Sequence, residues 1–289
     1  MILVAGATGM LGGEIARRLL AQGQEVRILV RPPSDHAALV EAGAQPVLGD
    51  FKDPTSLAAA VRGVDTVVTT ANSARRGPPD TVEAVDLNGN RHLIEAATAA
   101  GVGHFIFLSG APTTRSDSPI PFVAAKGAAE DQLRAGSMPW TILAPEPYIE
   151  VWVEMVVAGP ALSGGEVAYI GSGERRHSMV SIQDVAQFTV ASVDNPAARN
   201  RRLEIGGPEP ISWKDAVAAF ERALGRPIRQ RGVPPDEPVP GIPEQVTPLL
   251  ASFDLYDSPM DIRELTDEFG VTQTSIEDYA RERVAAARG

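Results

Sequence analysis

Seven residues near the start, Gly6-Ala7-Thr8-Gly9-Met10-Leu11-Gly12, carry the clearest chemical signal in the chain. They stand directly between a short apolar run, residues 1–5, and a segment whose Leu11, Ile15, Leu19 and Leu20 recur at helical spacing. A glycine-rich turn at that place lets backbone N–H groups approach a pyrophosphate, and the N-terminus of the following helix favours the negative charge. Gly6, Thr8, Gly9, Met10, Leu11 and Gly12 are therefore candidate dinucleotide contacts. The spacing is G-x-x-G-x-x-G, which matches the dehydrogenase fingerprint G-x-G-x-x-G only in part; a tight turn that binds nothing is the competing reading. Arg31 stands where a second strand would end, the place at which an acidic residue would favour the free 2′-hydroxyl of NAD. A guanidinium can donate two parallel hydrogen bonds to a 2′-phosphate, which a carboxylate would repel. Arg31 thus points to NADP(H), with NAD(H) second; a solvated arginine turned away by Pro32-Pro33 is the alternative.

Other chemistries find no support in the residues. Cysteine is absent, which excludes disulfides, thiolate catalysis and Cys-ligated metals. His36, His92, His104 and His177 are scattered and no H-E-x-x-H spacing occurs, so no metal is expected. There is no G-x-S-x-G elbow, and the first glycine turn lacks the P-loop lysine. With 26 Lys and Arg against 37 Asp and Glu, the net charge of −11 opposes a phosphate-backbone partner, so no nucleic acid is expected. The basic clusters at residues 175–177 and 199–202 then read as solvated surface. Glutamates interrupt the most apolar stretch, residues 148–162, and no run approaches the roughly 18 apolar residues of a membrane span. The chain opens on a strand-like run with no charged leader, which reads as cytoplasmic.

The glycine turn needs a fold to hold it, and 289 residues allow two domains at about 150 residues each. Strand-like runs at residues 1–5, 25–30, 45–48, 66–70, 104–108 and 140–143 alternate with helix-period segments at 10–22, 35–42, 54–61, 81–100 and 124–135. That alternation is the mark of a doubly wound parallel sheet in an α/β fold. Asp53-Pro54 supplies a cap and a first-turn proline, and Gly23 and Gly101 follow their helices. Pro145 and Pro147 end the regular half. Beyond them, residues 177–180 and 202–205 read as strands that return to the sheet, and Ser181 caps a helix to about residue 193. Ser212-Trp213-Lys214-Asp215 and Thr274-Ser275-Ile276-Glu277 resemble capping boxes, with a proline-rich loop at residues 234–243 between them.

These segments together resemble the NmrA-like group of the atypical short-chain dehydrogenase/reductases. The resemblance runs through the glycine turn, Val30-Arg31, Gly49-Asp50, the helix start containing Asn88, and Ala100-Gly101-Val102 before Phe105-Ile106-Phe107-Leu108-Ser109. Lys126-Gly127-Ala128-Ala129-Glu130, Trp140-Thr141-Ile142-Leu143, Ser181-Ile182-Gln183-Asp184-Val185-Ala186 and Gly206-Gly207-Pro208 extend it over nearly the whole chain. It implies a Rossmann domain, residues 1–145, and a smaller C-terminal substrate lobe, residues 146–289. The group contains quinone, dye and isoflavonoid-type reductases as well as nucleotide-sensing regulators. The same resemblance implies adenine contacts from Asp50 and Phe51, which could equally form a turn and a core aromatic. It implies an active-site hydroxyl at Ser109, a turn-capping serine being the alternative.

One departure bears on mechanism. Where many short-chain reductases have Tyr-x-x-x-Lys, this chain reads Phe122-Val123-Ala124-Ala125-Lys126. Lys126 can still hold the nicotinamide ribose, but Phe122 can neither give nor take a proton, a role worth about 10²–10⁴ in rate. Ala144-Pro145-Glu146 also replaces the family's frequent Arg-Pro-Gly. The expectation is an NADPH-dependent oxidoreductase that delivers hydride to a small conjugated or aromatic carbonyl or quinone-like compound held between the lobes. Lys126, Ser109 and Asn88 are its catalytic candidates, and Phe122 and Tyr148 are candidates for the substrate pocket. An NADP-sensing regulator without turnover is the competing class, and an isomerase or dehydratase using the cofactor transiently ranks third. No membrane partner is expected, and a homo-oligomer is left open.

Overall fold

Aliphatic runs without polar alternation suit strands covered on both faces, and the chain uses them so. The computed structural model describes residues 1–32, 34–74, 76–111, 116–243 and 246–288. It begins with β1 (Ile2–Ala5), α1 (Met10–Ala21), β2 (Val26–Val30), α2 (Ala37–Glu41), β3 (Gln45–Leu48), α3 (Pro54–Ala60), β4 (Thr66–Thr69) and α4 (Asn90–Ala99). Next come β5 (His104–Leu108), α5 (Pro121–Ala135), β6 (Trp140–Pro145), α6 (Ile149–Val153), α7 (Gly159–Leu162), β7 (Val167–Ile170), α8 (Ile182–Ser192) and β8 (Arg201–Ile205). The chain closes with α9 (Trp213–Leu224), β9 (Gln230–Val233), α10 (Thr247–Ser252), α11 (Arg263–Phe269) and α12 (Ile276–Arg288).

Seven strands form one sheet in the order β3-β2-β1-β4-β5-β6-β8, and the pairings from β3 through β6 are parallel. This is the doubly wound Rossmann arrangement. The order reverses between β1 and β4, so ligands are expected at the carboxyl ends of those strands. β1, β4 and β5 are buried along their whole length, whereas β3, with Pro46, is the exposed edge.

The chain divides into two units. One comprises Met1–Pro145 with Val185–Glu204, the other Glu146–Asp184 with Ile205–Gly289. The core of the first gathers Leu3, Val67, Phe105, Phe107, Leu93 and Ile142 under α3, α4 and α5. Its buried His104 is structural: Thr141 Oγ1 gives its proton to the Ala198 carbonyl (2.7 Å), so His104 Nε2 donates to Thr141 (2.8 Å). Burial pushes that imidazole down to about 4, which leaves it neutral. The second unit has its own core, with Trp213, Val217, Phe220, Tyr169 and Tyr279. There β7 and β9 form a two-stranded parallel sheet, and Ser212 and Asp215 close a capping box on α9.

Several local expectations shift. Of the two returning segments, residues 201–205 join the sheet as β8, but residues 177–180 form isolated bridges with three different segments and no strand. His177 is engaged there by Ser258 Oγ (2.8 Å) and the Phe253 carbonyl (2.9 Å). The last helix is capped by Ser275 with Asp278, one residue later than the sequence suggests, because Asp184 takes both polar groups of Thr274. The segment before α4 is π-helical, Val82–Gly89. Finally, α5 starts at Pro121, three residues early, since proline suits the first helical turn. Phe122 therefore lies on the helix, one turn before Lys126. Among the described residues no helix is long and apolar enough to cross a membrane.

Candidate functional site

The glycine turn leaves β1 and enters α1 at the point where the sheet order reverses. Its three glycines have different reasons to be there. Gly6 sits at φ +92°, and a Cβ on it would fall 2.5 Å from Thr70 Oγ1. Gly12 has ordinary backbone, but its Cβ would lie 2.2 Å from the Gly6 carbonyl oxygen. Both are demanded by the fold. Gly9 is demanded by neither: its φ is −88° and the nearest atom to an added Cβ is the Gly6 carbonyl at 3.3 Å. Thr8, Gly9 and Met10 are exposed, while Leu11 and Gly12 turn inward. The N-terminus of α1 has no capping side chain and no acid in its first turn, so its dipole and N–H groups are open to an anion.

At the ends of β2 and β3 the structure assembles a charge cluster. Arg31 donates to Asp80 Oδ2 at 2.5 Å, and Arg76 lies 3.6 Å from the same oxygen. Lys52 bonds Asp80 Oδ1 and, at 3.0 Å, Asp50 Oδ2. Asp80 is only 7% exposed. Burial alone would raise its pKa, yet the Lys52 hydrogen bond and the Arg31 charge hold the carboxyl below its ordinary range. Burial and the neighbouring Arg31 lower Arg76. Pro33, which could have turned Arg31 aside, lies outside the described residues; Arg31 itself is held toward Asp80. Asp50 stays half-exposed, but Phe51 enters the core against Gly89, where an added Cβ would meet the phenylalanine at 2.7 Å. The side chain expected to meet adenine is therefore a core aromatic, and the polar part of that pair is Asp50.

The ends of β5 and α5 are built differently. Lys126 is 4% exposed; its Nζ donates to the Leu108 carbonyl at 2.8 Å and lies 4.8 Å from the Phe107 ring centre and 5.6 Å from that of Phe122. Burial pushes the ammonium down to about 8, against the opposing charges of Asp86 and Glu130. Phe122 is 37% exposed, with no group to titrate. Ser109 donates to Glu130 at 2.5 Å, and Glu130 is also held by Arg134 at 2.5 Å and Arg202 at 3.2 Å. Its hydroxyl proton is thus committed to a buried ion-pair hub. Asn88 is half-buried in the π-helical segment. The buried polar residues beside it are Asp86 and Asn90: each keeps one carboxylate or amide oxygen, Asp86 Oδ1 and Asn90 Oδ1, without a hydrogen-bond partner. Buried orphans of this kind call for an explanation, and a ribose hydroxyl would satisfy them.

Tyr148 belongs to the second unit, at the start of α6, where burial and the Glu150 charge push its hydroxyl up so that it stays protonated. Sequence reading missed Lys52, Arg76, Asp80, Asp86, Asn90 and Glu130. The i,i+4 spacings of Glu130 from Lys126, Asp80 from Arg76 and Asn90 from Asp86 were the visible signals. Among the described residues no group of three His, Asp or Glu side chains is placed to hold a metal ion.

The sequence model for NAD(P)H-binding proteins matches residues 6–196, beginning on the first glycine of the turn and running into the segment that rejoins the first unit. The chain belongs to this NAD(P)H-binding family. It is 30% identical over 229 residues to the NAD(P)H azoreductase of Xenophilus azovorans, covering 79% of this chain and 76% of that one. Over 233 residues it is 29% identical to the photosystem II assembly factor Ycf39 of Trieres chinensis, covering 81% and 72%. Among solved structures, the NADPH-dependent quinone oxidoreductase of Escherichia coli complexed with NADPH shares its fold with a TM-score of 0.79 at 20% identity, over 98% of this chain and 99% of that one. As a family member the protein binds NAD(P)H, and the open Gly9, the free helix N-terminus and the orphaned oxygens of Asp86 and Asn90 fit the cofactor.

Proposed function

We propose that the protein is an NADPH-dependent reductase of small conjugated electrophiles, of the quinone or azo-dye kind, and that it works without a tyrosine acid. The observation that carries this reading is Phe122 one helical turn before the buried Lys126, with its ring beside the ammonium. Gly9 and the α1 N-terminus would hold the pyrophosphate, Arg31 the 2′-phosphate, and Lys126 with Asp86 and Asn90 the nicotinamide ribose. NADPH, when bound, supplies the hydride. Lys126 then acts by position: its charge survives at neutral pH because it titrates only near 8, and its reach is fixed by the Leu108 carbonyl. Phe122 excludes water from that lysine and delivers no proton. A quinone accepts hydride to give a stabilised hydroquinone anion, which takes its proton from water, so no protein acid is required. A simple ketone would give an alkoxide and does require one. The reductase relatives, an azoreductase by sequence and a quinone oxidoreductase by fold, support this substrate class.

The likeness to an assembly factor, together with Phe122, favours a second reading, a nucleotide-sensing protein without turnover. NADPH oxidation against a panel of benzoquinones, azo dyes and aromatic ketones separates the two. The reductase reading expects turnover of members of this panel, the quinones ahead of the ketones. Tight NADPH binding with no turnover of any member would replace it with the sensor.

A further inference from the structure

Arg31, Lys52 and Arg76 come from three separate segments, after β2, after β3 and after β4, and converge on one carboxylate. Sheet order explains the meeting. β2 and β3 are neighbours, and the segment after β4 reaches back to the end of β2. Asp80 sits at the tip of that segment in a tight turn, its N–H donating to the Gly77 carbonyl at 3.0 Å. Arg76 lies one helical spacing earlier, so the same turn carries both a cation and the anion. Counting Asp50, which engages Lys52, the cluster has one net positive charge. The cations stand where the doubly wound fold places the adenosine ribose.

We propose that Asp80 is an internal stand-in for the 2′-phosphate: it holds Arg31, Lys52 and Arg76 in a phosphate-binding arrangement and must yield them when NADPH binds, which tempers the preference for NADPH over NADH. The inference rests on the NADPH reading above. Carboxylate and phosphate present the same paired oxygens to a guanidinium, and Arg31 gives Nη1 to Asp80, so a phosphate that takes both arms of the Arg31 fork must displace the carboxylate from Nη1. A cofactor with a free 2′-hydroxyl leaves the Asp80 ion pairs intact and meets no such competition. Only the phosphorylated cofactor has to displace them. Arg76 and Lys52 then become phosphate ligands alongside Arg31, and Asp80 becomes the residue that sets how strongly the site selects.

The test uses 2′,5′-ADP and 5′-AMP as probes, titrated calorimetrically into the full chain. Replacing Asp80 with Asn keeps the shape of the side chain and removes the competing charge. Asp80→Asn should bind 2′,5′-ADP about tenfold more tightly, a change of one decade in Kd, with 5′-AMP unaltered. Arg76→Gln, which leaves Asp80 in place, should weaken 2′,5′-ADP by about tenfold and spare 5′-AMP. Weaker 2′,5′-ADP binding in Asp80→Asn would show that the carboxylate only scaffolds the cations and would overturn the proposal, as would equal changes for both nucleotides. Should wild type bind the two probes equally while Asp80→Asn prefers 2′,5′-ADP, the NADPH reading fails and the competing role of Asp80 stands. Equal binding of both probes by both proteins would overturn the two together.

Discussion

At the carboxyl ends of its strands the protein treats charge in two opposite ways. Beyond β2 and β3, three cations and two carboxylates pair in a half-open cluster with one net positive charge, where Arg31 and Lys52 keep about a third of their side-chain surface in solvent. Beyond β5, a single ammonium is sealed under Phe107 and Phe122 with one carbonyl as its bonded acceptor. The first arrangement satisfies its charges internally and can exchange one anion for another. The second keeps a charge that the fold disfavours. A pKa brought from 10.5 to about 8 corresponds to about 3 kcal/mol of penalty on the charged form. Lys126 is therefore retained against stability, whereas the Arg31 cluster adjusts selectivity.

The comparison is broken most directly at Lys126. Lys126→Met should lower turnover by at least about a hundredfold, since the ribose loses its anchor and the reacting groups their alignment. The same variant should unfold at higher denaturant, with a gain of about 1–3 kcal/mol near neutral pH. Lost stability in a folded Lys126→Met protein would mean that the lysine serves the core.

Between the two ends lies the glycine turn. Gly9→Val should reduce NADPH affinity by roughly fiftyfold or more in a protein that still folds, because an added Cβ meets only the Gly6 carbonyl, at 3.3 Å, and otherwise faces the side from which a ligand approaches. Gly12→Val should fail to fold, given the 2.2 Å approach of its Cβ to the Gly6 carbonyl. Calorimetry on the first variant and expression of the second check the pair; unchanged affinity in Gly9→Val would remove the turn from the site.

At the charge cluster, Arg31→Ala should weaken NADPH by about 1.5–3 kcal/mol and leave NADH nearly unchanged, as expected for a hydrogen bond to a charged group. Parallel losses for both cofactors would place Arg31 in the scaffold.

The smallest effect is a pH dependence. Below about pH 8 both folded and unfolded chains carry the Lys126 proton, and the whole burial penalty applies. Between about 8 and 10.5 the unfolded chain holds more protons, so this residue's contribution to stability rises with pH. The stability advantage of Lys126→Met over wild type should accordingly shrink as pH is raised through that window. Denaturation curves at pH 7 and about pH 10 would show it; a constant difference would mean that burial does not penalise the lysine.

What the residues disclosed in advance follows the same divide. The glycine turn, β1 through β6 and the Phe122–Lys126 spacing are local patterns, written in consecutive residues and readable as such. The Asp80 cluster is not local. Its members belong to three segments that meet only because β2 lies beside β3 and the segment after β4 turns back toward them. β9, Gln230-Arg231-Gly232-Val233, has neither alternation nor an apolar run, since only its last residue is buried; pairing with β7 makes it a strand. Phe51 shows the converse. Next to Asp50 it reads as a possible ligand contact, but the missing side chain of Gly89 leaves room for its ring, which packs in the core.

The central claim is that hydride leaves for the substrate without a proton from the protein. It is tested most directly by single-turnover reduction of a benzoquinone by the NADPH-loaded wild-type enzyme, compared in H2O and D2O near pH 7, where Lys126 is charged. Because Phe122 cannot donate and Ser109 is committed to Glu130, the rate should be the same in both solvents, a ratio of about 1. A ratio of roughly 2 or more, abolished by Tyr148→Phe, would mean that a protein hydroxyl transfers its proton in the same step, and the account given for Phe122 would be wrong.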